Sequence, residues 1–260
     1  MAHQEQLDFC LSVKEKFPEY FISIFGLDVG SLDINGSNNL LFENSTVLGV
    51  DLALGPNVDI VSFAHDIQLP ADTFDTIIST ECFEHDPFFG KTIQNLIRML
   101  KPGGLLLFTA ATYGRPEHGT AQTSPSEAPF LEEHGFGDYY QNIGEKEIRE
   151  AADLEETFEQ FEILTNEKSC DIYFWGTKPG EFVKRENYSA NNMASKLNEI
   201  ITLKENYISE QREIIDELQE KLRQSNDIVQ LKENYISEQR EIIDELQEKL
   251  RRRWFLWKSI

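Results

Sequence analysis

Basic residues are scarce in this chain: 24 Lys and Arg stand against 46 Asp and Glu over 260 residues, a formal net charge of −22. So acidic a surface repels phosphate backbones, which disfavours nucleic acid as a bulk partner. Cysteine is sparse too. Cys10, Cys82 and Cys170 are scattered with no metal-type spacing, which argues against a disulfide framework and suits a reducing compartment. No apolar run approaches the ~20 residues that span a bilayer. The opening Met-Ala-His-Gln-Glu-Gln lacks a basic region followed by an apolar one, the mark of a secretory signal. These absences lead to the expectation of a soluble, cytoplasmic protein. Apolar material is not lacking: 40% of residues are hydrophobic, enough for one sizeable core plus an extension.

The most informative stretch is Gly26-Leu27-Asp28-Val29-Gly30-Ser31-Leu32-Asp33-Ile34-Asn35-Gly36-Ser37. An apolar run from 21 to 29 ends in an acid, a glycine and a polar turn, the pattern of a buried parallel strand that stops at a ligand crevice. Gly30 permits close backbone approach, and Gly36 permits a positive φ where the chain turns back. A second apolar run, Val47-Leu48-Gly49-Val50-Asp51, also ends in an acid, 23 residues after Asp28. That is near the ~20-residue offset at which a strand-end carboxylate meets a ribose in nucleotide-binding α/β domains. An unpaired acid at a buried strand end otherwise lacks a reason, so Asp51 is the leading ligand-binding candidate.

In chain order, the spacing predicts a helix over 4–17, strands at 46–52, 58–63 and 75–80, and an amphipathic helix over 88–100. Lys101-Pro102-Gly103-Gly104 stops that helix, and a buried strand follows over 105–111. Residues 113–141 form a long polar segment, and loops of that length are usually functional lids. A helix over 145–158 and two late strands, 161–165 and 171–177, complete the domain. Strands alternating with helices imply a parallel sheet with right-handed crossovers. Glu81-Cys82-Phe83-Glu84-His85-Asp86 leaves the carboxyl end of the fourth strand. An unperturbed imidazole suits a general base, which makes His85, and His118 in the lid, base candidates. Glu81 and Glu84 are placed to orient an acceptor or to cap a helix. Tyr113, Arg115, Glu117, Tyr139 and Tyr140 are further lid candidates for an acceptor pocket. His65, His85, His118 and His134 show no recognisable metal-ligand spacing, so no metal is expected.

With these segments in order, residues 1–180 resemble the Rossmann-like family of S-adenosylmethionine-dependent methyltransferases. The carriers are Asp28-Val29-Gly30-Ser31, Asp51, His65-Asp66-Ile67, Phe74-Asp75-Thr76-Ile77-Ile78-Ser79 with Glu84-His85, and Leu100-Lys101-Pro102-Gly103-Gly104. The resemblance implies a seven-stranded, mostly parallel sheet with its last strand antiparallel and helices on both faces. It implies S-adenosyl-L-methionine as cofactor. Asp28, Gly30 and Ser31 would hold its methionine part, and Asp51 with Leu52 the ribose. Asp66 and Ile67 would meet the adenine, and Thr80 would lie beside the cofactor. His85, which could equally be a structural hydrogen-bonder, His118 and Glu81 remain the catalytic candidates by position. The glycine turn departs from the family form: Leu32 stands where a second glycine falls, and Gly36 is displaced. Acids at strand ends suit a cofactor without phosphate, whereas a dinucleotide enzyme prefers the three-glycine turn absent here.

The second half is a repeat. The run Leu203 to Arg223 recurs at Leu231 to Arg251, an offset of 28 residues or four heptads. Ile201, Ile208, Ile215, Leu222, Val229, Ile236, Ile243 and Leu250 share one heptad register. An unbroken seven-residue stripe means a left-handed coiled coil, here extending roughly 90 Å at 1.5 Å per residue. A lone apolar stripe needs a partner, so a homo-oligomer follows. The division expected is a methyltransferase domain at 1–185, a linker at 186–195, the coil at 196–253 and a basic-aromatic tail at 254–260. That tail, with Trp254 and Trp257 beside Arg251 to Arg253, suits a peripheral contact with the inner membrane face or with a protein. Coiled-coil extensions and a lid of this kind are similar to those of methyltransferases associated with cell-surface polysaccharides, which points to a small-molecule or glycan hydroxyl as acceptor. The competing reading is a non-catalytic coiled-coil scaffold carrying a degenerate cofactor domain.

Overall fold

The computed structural model describes residues 4–183, together with Gln219, Glu220, Lys221, Arg223, Lys232 and Ser237, which are helical. The expected linker, most of the expected coiled coil and the expected tail lie outside the described residues. Seven strands form one sheet: β1 (Phe25–Val29), β2 (Thr46–Asp51), β3 (Ile60–Val61), β4 (Phe74–Thr80), β5 (Leu100–Ala111), β6 (Gln160–Asn166) and β7 (Asp171–Thr177). Their order is β3-β2-β1-β4-β5-β7-β6. The first five pair in parallel, while β7 runs antiparallel to both β5 and β6. The strand order reverses between β1 and β4, and a crevice opens outside the carboxyl ends of strands at such a switch point.

The seven strands, the antiparallel close and the late hairpin match the sequence-based expectation. Several boundaries differ. The first strand begins only at Phe25, because Pro18–Phe21 forms a 3-10 turn and Ser23 takes a φ of 58°. β3 shrinks to two residues. Helix formation expected over 145–158 splits into α3 (Glu145–Ala151) and α4 (Leu154–Thr157). The break falls at Asp153, whose carboxylate accepts the Glu156 N–H and so starts a new helix. Pairing of the fifth strand begins at Leu100, with a register shift opposite Phe74 and Thr76 that absorbs the Pro-Gly-Gly run.

Alternation along the strands supplies two core faces. α1 (Gln4–Lys16) buries Phe9, Cys10 and Val13 in one cluster with Ile78, Leu105, Leu107, Tyr173 and Trp175. Phe9 stacks on Tyr173 with centroids 4.6 Å apart. On the other face Phe83 meets Phe108 at 5.1 Å and Phe89 of α2 (Phe89–Met99) at 5.4 Å, and Phe108 stacks on Phe174 at 4.8 Å. α2 buries Phe89, Ile93, Leu96 and Met99, the three- and four-residue spacing of one helical stripe. Each such side chain contributes roughly 1.5–3 kcal/mol of burial free energy. Asp75 is structural: its carboxylate accepts the Phe25 N–H at 2.9 Å and pairs with Lys101, tying the roots of β1, β4 and β5. No helix among the described residues is long and apolar enough to cross a membrane.

Candidate active site

The carboxyl ends of β1, β2 and β4 open onto one cavity of about 500 Å³. Gly30, Leu32, Asp51 and Leu52 line it, as do Thr80, Glu81, Cys82 and His85. The lid contributes Arg115, Pro116, Glu117 and His118, then Glu127, Ala128, Pro129 and Leu131.

Gly30 sits where no side chain fits. Its φ is +76°, and a Cβ there would lie 2.7 Å from both Cβ and Sγ of Cys82. The chain thus crosses beneath Cys82 and delivers the N–H groups of Gly30 and Ser31 to the Val50 carbonyl at 2.9 and 3.1 Å. Gly36 takes its expected positive φ, 110°. Asp51 is not the unpaired acid that the sequence suggests. Its Oδ2 accepts the Leu32 N–H at 3.0 Å, and its Oδ1 accepts the Leu52 N–H at 2.7 Å. Burial raises its pKa, opposed by those two N–H groups. Leu32, in the place of a glycine, therefore serves through its backbone. Each oxygen of Asp51 has accepted one backbone hydrogen bond and has capacity for another.

Asp28 and Ser31 lie behind the walls and not in them. Asp28 is 3% exposed and accepts from Asn38 Nδ2 at 2.9 Å, and the same amide donates to Thr80 Oγ1 at 3.1 Å. Burial lifts the Asp28 pKa to about 7, against the pull of the Asn38 hydrogen bond. Between about pH 4 and pH 7 the folded protein then holds a proton that the unfolded chain has released. Stability accordingly falls as pH rises through that window, by up to about 4 kcal/mol. Asp28→Asn keeps an oxygen for Asn38 and cannot ionise. Its melting temperature relative to wild type is expected to be several degrees higher at pH 8 than at pH 5, and a pH-independent difference between the two proteins would refute this.

The expected adenine contacts at Asp66 and Ile67 are absent from the walls; Ser62, Phe63 and Ala64 stand there instead. The reason is α2. Asn95 Nδ2 donates to the carbonyls of Ala64 and Ile67, and Arg98 donates to Ile67 and Leu69. These bonds hold the turn so that Ile67 is buried in the core and the Asp66 side chain, 65% exposed, faces solvent beside His65. Phe63 meets the lid edge-on, at 5.2 Å from His134 and 6.0 Å from Phe136.

Beyond Thr80 the backbone is strained: Glu81 takes a φ of 49°, uncommon for a residue with a Cβ and characteristic of functional sites. Glu81 Oε1 accepts from Thr109 Oγ1 at 3.2 Å, and Thr109 in turn accepts from the fully buried Gln6 of α1 at 2.7 Å. Burial, then the charge of Asp171, lifts Glu81 to about 7, with Arg115 pulling the other way. Arg115 donates to the Ser169 carbonyl at 2.7 Å and to buried Asp171 at 3.0 Å, with Glu81 at 3.9 Å. It pins the root of the lid to the β6–β7 turn. Sequence reasoning missed Gln6, Thr109 and Asp171, which carry no local motif.

His85 and His118 come together, ring centroids 5.0 Å apart and perpendicular. Burial, then His118, pushes the His85 pKa down to about 3. The ring is thus neutral at physiological pH and binds a proton far more weakly than the unperturbed imidazole on which its base assignment rested. Tyr140 flanks both rings, at 5.6 and 4.9 Å, without lining the cavity. Tyr113 is 62% exposed, and its hydroxyl donates to Glu147 instead of entering the site.

The sequence pattern of the methyltransferase-domain family matches residues 15–155, more than half of the 260 residues, and the chain belongs to that family. No curated protein matches it. Among solved structures it is similar to Haemonchus contortus phosphoethanolamine N-methyltransferase 2, at 18% identity and a TM-score of 0.46, covering 66% of this chain and 52% of that one. It is also similar to 1,6-didemethyltoxoflavin-N1-methyltransferase of Burkholderia thailandensis (14% identity, TM-score 0.45, coverage 65% and 76%). A third is a possible histamine N-methyltransferase of Thermotoga maritima (16%, TM-score 0.43, 66% and 88%). The chain spans about half the length of the first of these.

Proposed function

We propose that this protein binds S-adenosyl-L-methionine and transfers its methyl group to a hydroxyl of a small molecule or glycan. One observation carries the reading: Gly30 and Asp51, at the ends of adjacent parallel strands, wall the same cavity. The lining suits a cationic nucleoside without phosphate. Asp51 offers two acceptor oxygens to a pair of ribose hydroxyls, Gly30 leaves space for the methionine part, and Ser62, Phe63 and Ala64 flank the base. When bound, the cofactor supplies an electrophilic methyl group on a positive sulfur. The chain's own task is then to position the acceptor in line and to exclude water. Glu81, His85 and His118 wall the half of the cavity assigned to the acceptor, and the lid residues 127–131 cover it. The heptad stretch is proposed to assemble several such domains, and the basic-aromatic tail to hold them against the inner membrane face or a protein, as in enzymes of surface polysaccharide synthesis.

The test is calorimetric titration of the full chain with S-adenosylmethionine, followed by incubation of a glycan and metabolite panel with methyl-labelled cofactor. One site per chain at micromolar affinity is expected, with label moving to an oxygen. Absence of cofactor binding would overturn the reading.

A further inference from the structure

Glu84 poses a problem that methyl-cofactor binding does not solve. It is wholly buried, and only the backbone N–H groups of Glu84 and Ala111 approach its carboxylate, neither oxygen making a hydrogen bond of ordinary geometry. A buried carboxyl group left so costs several kcal/mol. Two imidazoles stand beside it, and the charges of Glu81 and Arg115 also act on it. His118 Nε2 lies 3.9 Å from Glu84 Oε1, and His85 has a buried Nδ1 without a partner. One donor atom from each of Glu84, His85 and His118 falls within 4.8 Å of the others.

We propose that Glu84, His85 and His118 ligate a divalent first-row transition cation, such as Zn²⁺, Mn²⁺ or Co²⁺, at the inner wall of the cavity. Two imidazoles and one carboxylate form the facial donor set that leaves positions open for an exogenous ligand. Cation–donor bonds of about 2.0–2.2 Å place neighbouring donors roughly 3.0–3.5 Å apart, so the Glu84–His118 pair, at 3.9 Å, needs to close by less than an ångström, and no pair by more than about 2 Å. The surroundings already orient one ligand. His118 Nδ1 lies 3.1 Å from the Pro116 carbonyl. A proton on Nδ1 donates to that oxygen and leaves the Nε2 lone pair directed at Glu84, the arrangement by which ligating imidazoles are fixed. Gly119 supports the other. A Cβ at that position would stand 2.6 Å from His85 Cε1, so a residue with no side chain lets the lid approach the ring.

Local spacing conceals this set. Glu84 and His85 adjoin in the short turn Phe83–His85, while His118 arrives from the lid 33 residues later. The open positions face the cavity through His85 and His118, which suits an acceptor bearing oxygen donors. Cation binding itself stands whether or not methyl transfer is the reaction.

The experiment uses the untagged, chelator-treated full chain titrated with Co²⁺ and followed by its visible d–d absorption, with Zn²⁺ as competitor and no methyl cofactor present. One equivalent of Co²⁺ with nitrogen-ligand bands is expected, displaced by Zn²⁺. Glu84→Gln and His118→Ala are each expected to weaken binding at least ~100-fold, while thermal melting of the metal-free variants verifies that they fold. Glu84→Gln retains the shape of the buried side chain, and His118 lies on the partly exposed lid, so at least one variant remains readable. No absorption at one equivalent, or wild-type affinity in both variants, would overturn the proposal.

Discussion

Asp51→Ala is expected to lower the affinity for S-adenosylmethionine by at least ~100-fold in calorimetry. Two hydrogen bonds from ribose hydroxyls to an ionised acceptor are each worth about 1.5–3 kcal/mol, and 2.7 kcal/mol is already a factor of 100. Asp51 also joins two backbone turns through Leu32 and Leu52, so loss of affinity alone does not separate contact from scaffolding. A cofactor analogue lacking both ribose hydroxyls makes the separation. Wild type should bind it much more weakly than the parent compound, whereas Asp51→Ala should bind the two alike, the non-additivity of a shared contact. If Asp51→Ala binds S-adenosylmethionine within threefold of wild type, the assignment of Asp51 to the ribose fails.

Gly30→Ala is expected to cost both stability and binding. Holding a non-glycine residue at φ +76° costs about 1–2 kcal/mol, and the added Cβ would stand 2.7 Å from Cβ and Sγ of Cys82. Overpacking of that kind adds roughly 1–3 kcal/mol. For a domain of this size the sum lowers the melting temperature by roughly 5–15 °C. Adding Cys82→Gly to Gly30→Ala removes the clash but not the backbone strain, so about half the loss should return. A Gly30→Ala protein that melts and binds like wild type would show that the crossing of β1 beneath Cys82 is looser than described.

The sheet was legible because its signals are local: an apolar run, an acid, a glycine, then a stop such as Lys101-Pro102-Gly103-Gly104. The strand-end positions of Gly30 and Asp51, both in the cavity wall, were legible for the same reason, since a strand end and its terminal acid adjoin in sequence. What escaped depends on distant residues. Nothing near Asp66 announces that Asn95 and Arg98, a helix away, hold its turn so that Phe63 faces the cavity. Nothing near Asp51 shows that the amide of Leu32 reaches it. Asp28 was legible as a buried strand-end acid, yet its partner Asn38 belongs to the next turn, and nothing local to the strand shows that pairing. The break at Asp153 could have been read from its capping preference, had the helix not been extended through it.

The family match covers residues 15–155, yet the domain's integrity depends on what lies on both sides of those borders. β7 covers β5 from Leu105 to Ala111 through seven residue pairs, and α1 delivers Gln6 to Thr109 beside Glu81. A fragment trimmed to the matched stretch would bare a long apolar strand edge, a template for aggregation, and remove the amide that donates to Thr109 beside Glu81. Such a fragment should precipitate, and its inactivity would say nothing about the proposed activity of the full chain.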